Sequence, residues 1–158
     1  FKQLKLKKKI SVKILDIKDY SKVKNLIIKT KPQIIFHLAA QPLIYESYLK
    51  PYETYLTNSI GTLNILEAVR NQRKNTVRAL VCVTSDKCYQ SNNSTKGFIE
   101  TDRLGGVDPY SGSKASAEII VNTYKNSFFN KKSLKSFFDT CNPSVLSHSF
   151  PLRIFILS

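Results

Sequence analysis

Tyr110 stands four residues before Lys114 in the stretch DPYSGSK at 108–114, with Ser111, Gly112 and Ser113 between them. On a helix that spacing stacks the two side chains on one face, about one turn apart. A phenol held beside an ammonium has its charged form favoured, so it releases its proton more readily than at its reference pKa of about 10. Such a pair is a candidate general base for a hydroxyl group. The same spacing also occurs as plain helix surface, so its chemistry depends on what the fold brings to it. The stretch VTSDKCY at 83–89 offers partners, because Ser85, Asp86 and Lys87 place a hydroxyl, a carboxylate and an ammonium in succession. Left exposed, Asp86 and Lys87 would form an ion pair worth under about 1 kcal/mol.

The elements that must position these residues read as a strand–helix alternation. ISVKIL at 10–15 alternates apolar and polar side chains and predicts a strand. Asp16 and Ile17 end it, and Asp19 caps a helix over 20–30 with Val23, Leu26 and Ile27 on its apolar face. Pro32 stops that helix. IIFHLA at 34–39 and VRALVCVT at 77–84 are nearly continuous apolar runs, as strands buried on both faces require. After a loop, Pro51 opens a helix to Arg73, with Tyr52, Leu56, Ile60, Leu63 and Leu66 at helical spacing. A polar loop with Asn92, Asn93, Gly97, Gly105 and Gly106 leads to a last helix over 109–129. The order β-α-β-α-β-α predicts an α/β fold with a doubly wound parallel sheet. Ligands of such sheets bind outside the carboxyl ends of the strands. Asp16, the run Ala39-Ala40-Gln41 and the run Ser85-Asp86-Lys87 all fall there, and the Tyr110 helix begins on the same side.

Composition excludes several classes. The chain has 158 residues, 42% of them hydrophobic, which fits one globular domain. No apolar run approaches the roughly 18 residues of a membrane span. No apolar signal core follows the N-terminal lysines, so a cytoplasmic location is expected. Cys82, Cys88 and Cys141 form no C-x-x-C pair and read as free thiols, and His37 and His148 are isolated, so no metal is expected. The net charge of +14 would suit an anionic partner. Yet Lys2, Lys5, Lys7, Lys8 and Lys9 crowd one end, and Lys125, Lys131, Lys132 and Lys135 another. Such runs read as solvated surface, and no nucleic-acid-binding motif accompanies them.

Together, LDIKD at 15–19, HLAAQP at 37–42, ETYLTNSIGTLNILEAVR at 53–70, VTSDKCY at 83–89, DPYSGSKASAE at 108–118 and YKNSFF at 124–129 resemble a known group. It is the extended short-chain dehydrogenase/reductase superfamily, and within it the CDP-glucose 4,6-dehydratases. Lys87 carries the finer distinction, since the relatives acting on dTDP-glucose typically have an acidic residue there. The resemblance implies a Rossmann-like fold, NAD as cofactor and dehydration of CDP-glucose to CDP-4-keto-6-deoxyglucose. By the same resemblance Tyr110 takes the proton from the sugar 4-hydroxyl, Lys114 holds the nicotinamide ribose and Ser85 hydrogen-bonds the 4-oxygen. Asp86 and Lys87 occupy the positions of the acid–base pair that removes the C5 hydrogen and helps the C6 hydroxyl leave. A lysine acts as base only if burial or nearby positive charge lowers its pKa. The sequence leaves Lys87 open as base, acid or electrostatic support. The resemblance further places Asp16 and Ile17 beside the adenine and Ala39, Ala40 and Gln41 along the pyrophosphate and ribose path. It makes Asn58 a structural asparagine, and it implies a homo-oligomer with the helices at 51–73 and 108–129 as dimer surfaces.

Two departures accompany it. The five glycines, at 61, 97, 105, 106 and 112, form no Gly-rich turn after a first strand, which would cradle a pyrophosphate. The acidic residue expected to bind the adenosine ribose is missing with it. Beyond Phe129 the substrate-domain continuation is not recognisable, although LRIFIL at 152–157 has strand character. With Phe1 in first place and no methionine anywhere, these features read as a fragment: a partial Rossmann-like domain over 1–129 and a divergent tail over 130–158, frameshifted or truncated near residue 130. Two alternatives stay open, another nucleotide-sugar epimerase or dehydratase of the superfamily and a basic, non-enzymatic binding module.

Overall fold

The computed structural model describes residues 11–72, 76–90, 97–129 and 137–141. Helix α1 covers Tyr20–Thr30, with the Asp19 carboxylate accepting from the Lys22 amide as N-cap. Strand β1 (Ile34–His37) follows, then the short helices α2 (Ile44–Leu49) and α3 (Pro51–Tyr55). A π-helical turn at Leu56–Ile60 joins α3 to helix α4 (Gly61–Arg70). Strand β2 (Ala79–Val83) runs into a 3-10 turn at Asp86–Cys88. Helix α5 (Pro109–Tyr124) ends in a second π-helical turn at Lys125–Phe129, and strand β3 is Phe137–Cys141.

The three strands form one parallel sheet in the order β1-β2-β3. Ile35 and His37 of β1 and Leu80 and Cys82 of β2 are buried. Val23 and Ile27 of α1, and Ile65, Leu66, Ala68 and Val69 of α4, close the core, with Val121 and Phe129 from α5 and its end. Parallel strands need crossovers long enough to return the chain, and helices supply them here. The expected α/β parallel architecture is therefore observed.

Two expectations are corrected. Residues 11–15 run without pairing to any strand among the described residues, and Val12 and Ile14 are 54% and 92% exposed. Alternation fixes which face of a strand can be buried, but a strand forms only with a neighbour to share its hydrogen bonds. An apolar cavity of about 480 Å³ lies here instead, lined on one side by Leu15 and Ile17 and on the other by Ile35 and His37. The stretch before Pro51, read as a loop, contains α2. Within the stretch after 130, β3 lies in register with β2, Leu80 opposite Phe138. The candidate strand at 152–157, the basic runs at 2–9 and 131–135 and the loop residues Asn92 and Asn93 lie outside the described residues.

Candidate active site

Asp108 starts the site. Its carboxylate accepts from the Ser111 amide at 3.0 Å and from the Ser111 hydroxyl at 2.6 Å, and Pro109 takes the first helical position. These caps fix the first turn of α5, where Tyr110 sits 9% exposed with Lys114 one turn on at 6%. The Tyr110 amide donates to Ser47 Oγ at 3.1 Å, so α2 anchors the same turn from outside. Gly106 lets the incoming loop lie against it, for a Cβ there would fall on the Ser111 backbone.

The carboxyl end of β2 meets this helix. Ser85 caps the 3-10 turn by accepting from the Lys87 amide at 3.3 Å, and its hydroxyl donates to Asp86 at 3.1 Å. The turn packs against α5. Asp86 and Lys87 are exposed while Cys88 is buried, so the two charged side chains face solvent beside the Tyr110 turn. Burial raises the pKa of Asp108, but the hydrogen bonds from Ser111 and the Tyr110 amide, with a smaller pull from the Lys87 charge, hold it below its ordinary value. Lys114 Nζ reaches the Val83 carbonyl at 3.5 Å, and burial pulls its pKa down.

Asn58 ties a third piece to the site. Its Oδ1 accepts from the Gln41 amide at 2.8 Å, and its Nδ2 donates to the Gln41 carbonyl and to Ser113 Oγ. Only 2% exposed, it is held in the π-helical turn and links the segment after β1 to α5. The chain continues into the core: the Thr62 hydroxyl donates to the Asn58 carbonyl at 2.6 Å, which leaves Thr62 Oγ1 to accept from His37 Nε2 at 2.9 Å. The tautomer of His37 follows, with Nδ1 unprotonated and, among the described residues, without a donor. Burial, then the charge of Lys114, holds this imidazole near a pKa of about 4.

Ala39 and Ala40 are half-buried at the end of β1, small side chains beside Gln41. Ile17 packs on α4, where a Cβ at Gly61 would come within 2.8 Å of its Cγ2. Asp16 lies at the edge, exposed, accepting from the Lys18 amide at 2.9 Å. Thus the Ser85-Asp86-Lys87 turn and the helix that carries Tyr110 and Lys114 pack together at the carboxyl end of β2, and Asn58 ties Gln41 to that helix through hydrogen bonds.

A family model described as GDP-mannose 4,6 dehydratase matches residues 1–155. The chain belongs to that family. A CDP-glucose 4,6-dehydratase from Salmonella typhimurium is 47% identical over 115 residues, covering 73% of this chain and 32% of that protein. The chain therefore spans about a third of the length of this curated relative. Among solved structures, a UDP-Glc/GlcNAc 4-epimerase from Campylobacter jejuni superposes with a TM-score of 0.73 at 21% identity, over 96% of this chain and 46% of its own. A dTDP-glucose 4,6-dehydratase from Streptomyces venezuelae, solved with NAD bound, gives 0.66 at 23% identity, over 78% and 35%. At those identities the two structures speak for the fold.

The resemblance read from the motifs is borne out in family and fold. Sequence reading missed Ser47, Thr62, Ser113, Thr84 and Glu118. All but Ser47 lie inside quoted motifs, and Glu118 stands four residues after Lys114 with opposite charge, a helix pairing that spacing does signal.

Proposed function

We propose that the protein carrying this chain is an NAD-dependent CDP-glucose 4,6-dehydratase that forms CDP-4-keto-6-deoxyglucose. The observation that carries this reading is the packing of the Ser85-Asp86-Lys87 turn against the Tyr110–Lys114 face of α5, in a chain 47% identical to a CDP-glucose 4,6-dehydratase. Oxidation at a sugar carbon needs only a base and a hydride acceptor. Dehydration needs a further acid–base pair beside them, and Asp86 and Lys87 are the groups present.

NAD would fit at the Lys114 end. Its buried ammonium has three donors and, among the described residues, one long hydrogen bond, to Val83, so ribose hydroxyls would have partners there. Ala39 and Ala40 leave room for a close approach beside Gln41, and Asp16 and Ile17 form the far edge. Among the described residues no Gly-rich turn is present for the pyrophosphate. When bound, NAD supplies the acceptor that takes hydride from C4 and gives it back at C6.

The residues then divide the work. Tyr110, acting as the base, accepts the proton of the 4-hydroxyl and becomes a neutral phenol, while Lys114 beside it on the helix holds the ribose. Ser85 donates to the 4-oxygen once it releases Asp86. The ketone at C4 acidifies the C5 hydrogen. One member of the pair Asp86–Lys87 removes that hydrogen, and the other protonates the departing C6 hydroxyl. Asn58 holds Gln41 and Ser113 in place behind them.

A second reading is a nucleotide-sugar 4-epimerase, since one from Mycoplasma genitalium is 31% identical over 129 residues. Product analysis separates the two. Full-length protein incubated with CDP-glucose should yield a C6 methyl group by proton NMR, with dTDP- and UDP-glucose turned over more slowly. Appearance of a 4-epimer with the C6 hydroxyl retained would overturn the dehydratase reading.

A further inference from the structure

Helix α5 grips the end of β2 at two adjacent residues. Lys114 reaches the Val83 carbonyl, and the buried Thr84 hydroxyl donates to the Glu118 carboxylate. Lys114 and Glu118 are four residues apart, so their side chains leave the helix on one face. Ser85 follows Thr84 directly, and the Asp86–Lys87 turn follows Ser85. Whatever fixes Thr84 therefore fixes the start of that turn.

Resting on the dehydratase reading above, we propose that Glu118 is a positioning residue: through Thr84 it locks the Ser85-Asp86-Lys87 turn against α5, and it is the carboxylate that supports the buried Lys114 ammonium.

The surroundings leave this second task to Glu118. Burial drives Lys114 toward its neutral form, and the groups opposing it are Cys82 of β2, Cys88 of the 3-10 turn and Glu118 on its own helix. Both thiols are buried and pushed up to about 12, by burial first and Glu118 next, so near neutrality they carry no charge. From β1 the facing group is His37, held neutral by burial. Among these groups only the carboxylate is charged near neutral pH. Without it, the buried Lys114 ammonium loses its electrostatic support.

The two tasks separate by mutation. Glu118→Gln keeps an oxygen to accept from Thr84 but removes the charge, whereas Thr84→Val removes the hydrogen bond and keeps the charge. The Lys114 ammonium is titrated by NMR in the full 158-residue chain, with amide hydrogen exchange read over residues 84–88. The expected result is a downward shift of the Lys114 midpoint in Glu118→Gln, with exchange little changed. Thr84→Val should show the reverse: an unmoved midpoint and faster exchange at 84–88. Glu118→Asp keeps the charge on a shorter arm and should restore the midpoint but not the protection; it also carries the test if Glu118→Gln does not fold. An unshifted Lys114 midpoint on loss of the charge, or unaltered exchange on loss of the hydrogen bond, overturns the proposal. The readouts need neither substrate nor cofactor. The coupling and the dehydratase reading thus fail separately, the second by absence of turnover in the full-length protein with the Lys114 shift intact.

Discussion

At the scale of single residues, the site depends on keeping buried polar groups in one protonation state and fully partnered. His37 illustrates the first requirement. Unfolded, its imidazole binds a proton near pH 6.5; folded, burial delays this to about 4. Between those values the unfolded chain holds more protons, so stability rises with pH there. The stabilisation is complete above about pH 6.5 and is lost as pH falls toward about 4, a total of about 3 kcal/mol. Urea melts across this range, paired with an NMR titration of His37, should show that loss; a His37 midpoint near 6.5 would contradict it. Asn58 illustrates the second requirement. Asn58→Ala strands the Gln41 amide and carbonyl and removes the donor to Ser113 Oγ, so we expect a loss of at least about 2 kcal/mol in denaturant unfolding. A near-neutral change would mean that water replaces the side chain. Tyr110→Phe, in the full-length protein, should lower kcat by about 10²–10⁴ with the fold intact, as loss of a general base requires.

At the scale of elements, the chemistry-bearing stretches were readable and the supports were not. Tyr110 and Lys114 show themselves through helical spacing, and the apolar runs of β1 and β2 mark buried strands. Helix α2 did not show itself, because its N-cap position is Leu43, with no side-chain cap bond, and it is only Ile44–Leu49 long. The π-helical turn around Asn58 leaves the spacing of apolar residues in ETYLTNSIGTLNILEAVR close to that of an ordinary helix, so periodicity cannot reveal it. Residues 11–15 carry a strand pattern but lack a paired neighbour among the described residues, which no local pattern can foretell. The glycines divide the same way. Gly106 is needed where its loop touches the first turn of α5, while a Cβ at Gly97 would meet nothing within 4 Å. Gly106→Ala should therefore destabilise by about 1–3 kcal/mol through overpacking and disturb the Tyr110 turn, with Gly97→Ala as the silent control. Equal denaturation midpoints for both variants would contradict that contact.

At the scale of the whole molecule, the described helices close over the sheet around the buried cysteines. The packing of α4 and α5 buries Cys82 and Cys88, so both thiols should resist alkylation in the native chain and react on unfolding. Rapid native labelling at either position would show that the core opens. The edge of β1, unpaired among the described residues, and the apolar cavity beside it offer a surface for a hydrophobic dye, and native dye fluorescence is the expected readout. No helix among the described residues is long and apolar enough to cross a membrane. The net charge of +14 calls for no nucleic-acid function: heparin or DNA binding should fade at moderate salt, and binding that persisted would favour a basic binding module. A dehydratase moves hydrogen internally from C4 to C6, and one isotope experiment addresses that transfer. Full-length protein supplied with CDP-glucose deuterated at C4 should deliver that deuterium to the C6 methyl group of a 4-keto product. Deuterium retained at C4, or a product that keeps its C6 hydroxyl, would contradict the dehydratase reading.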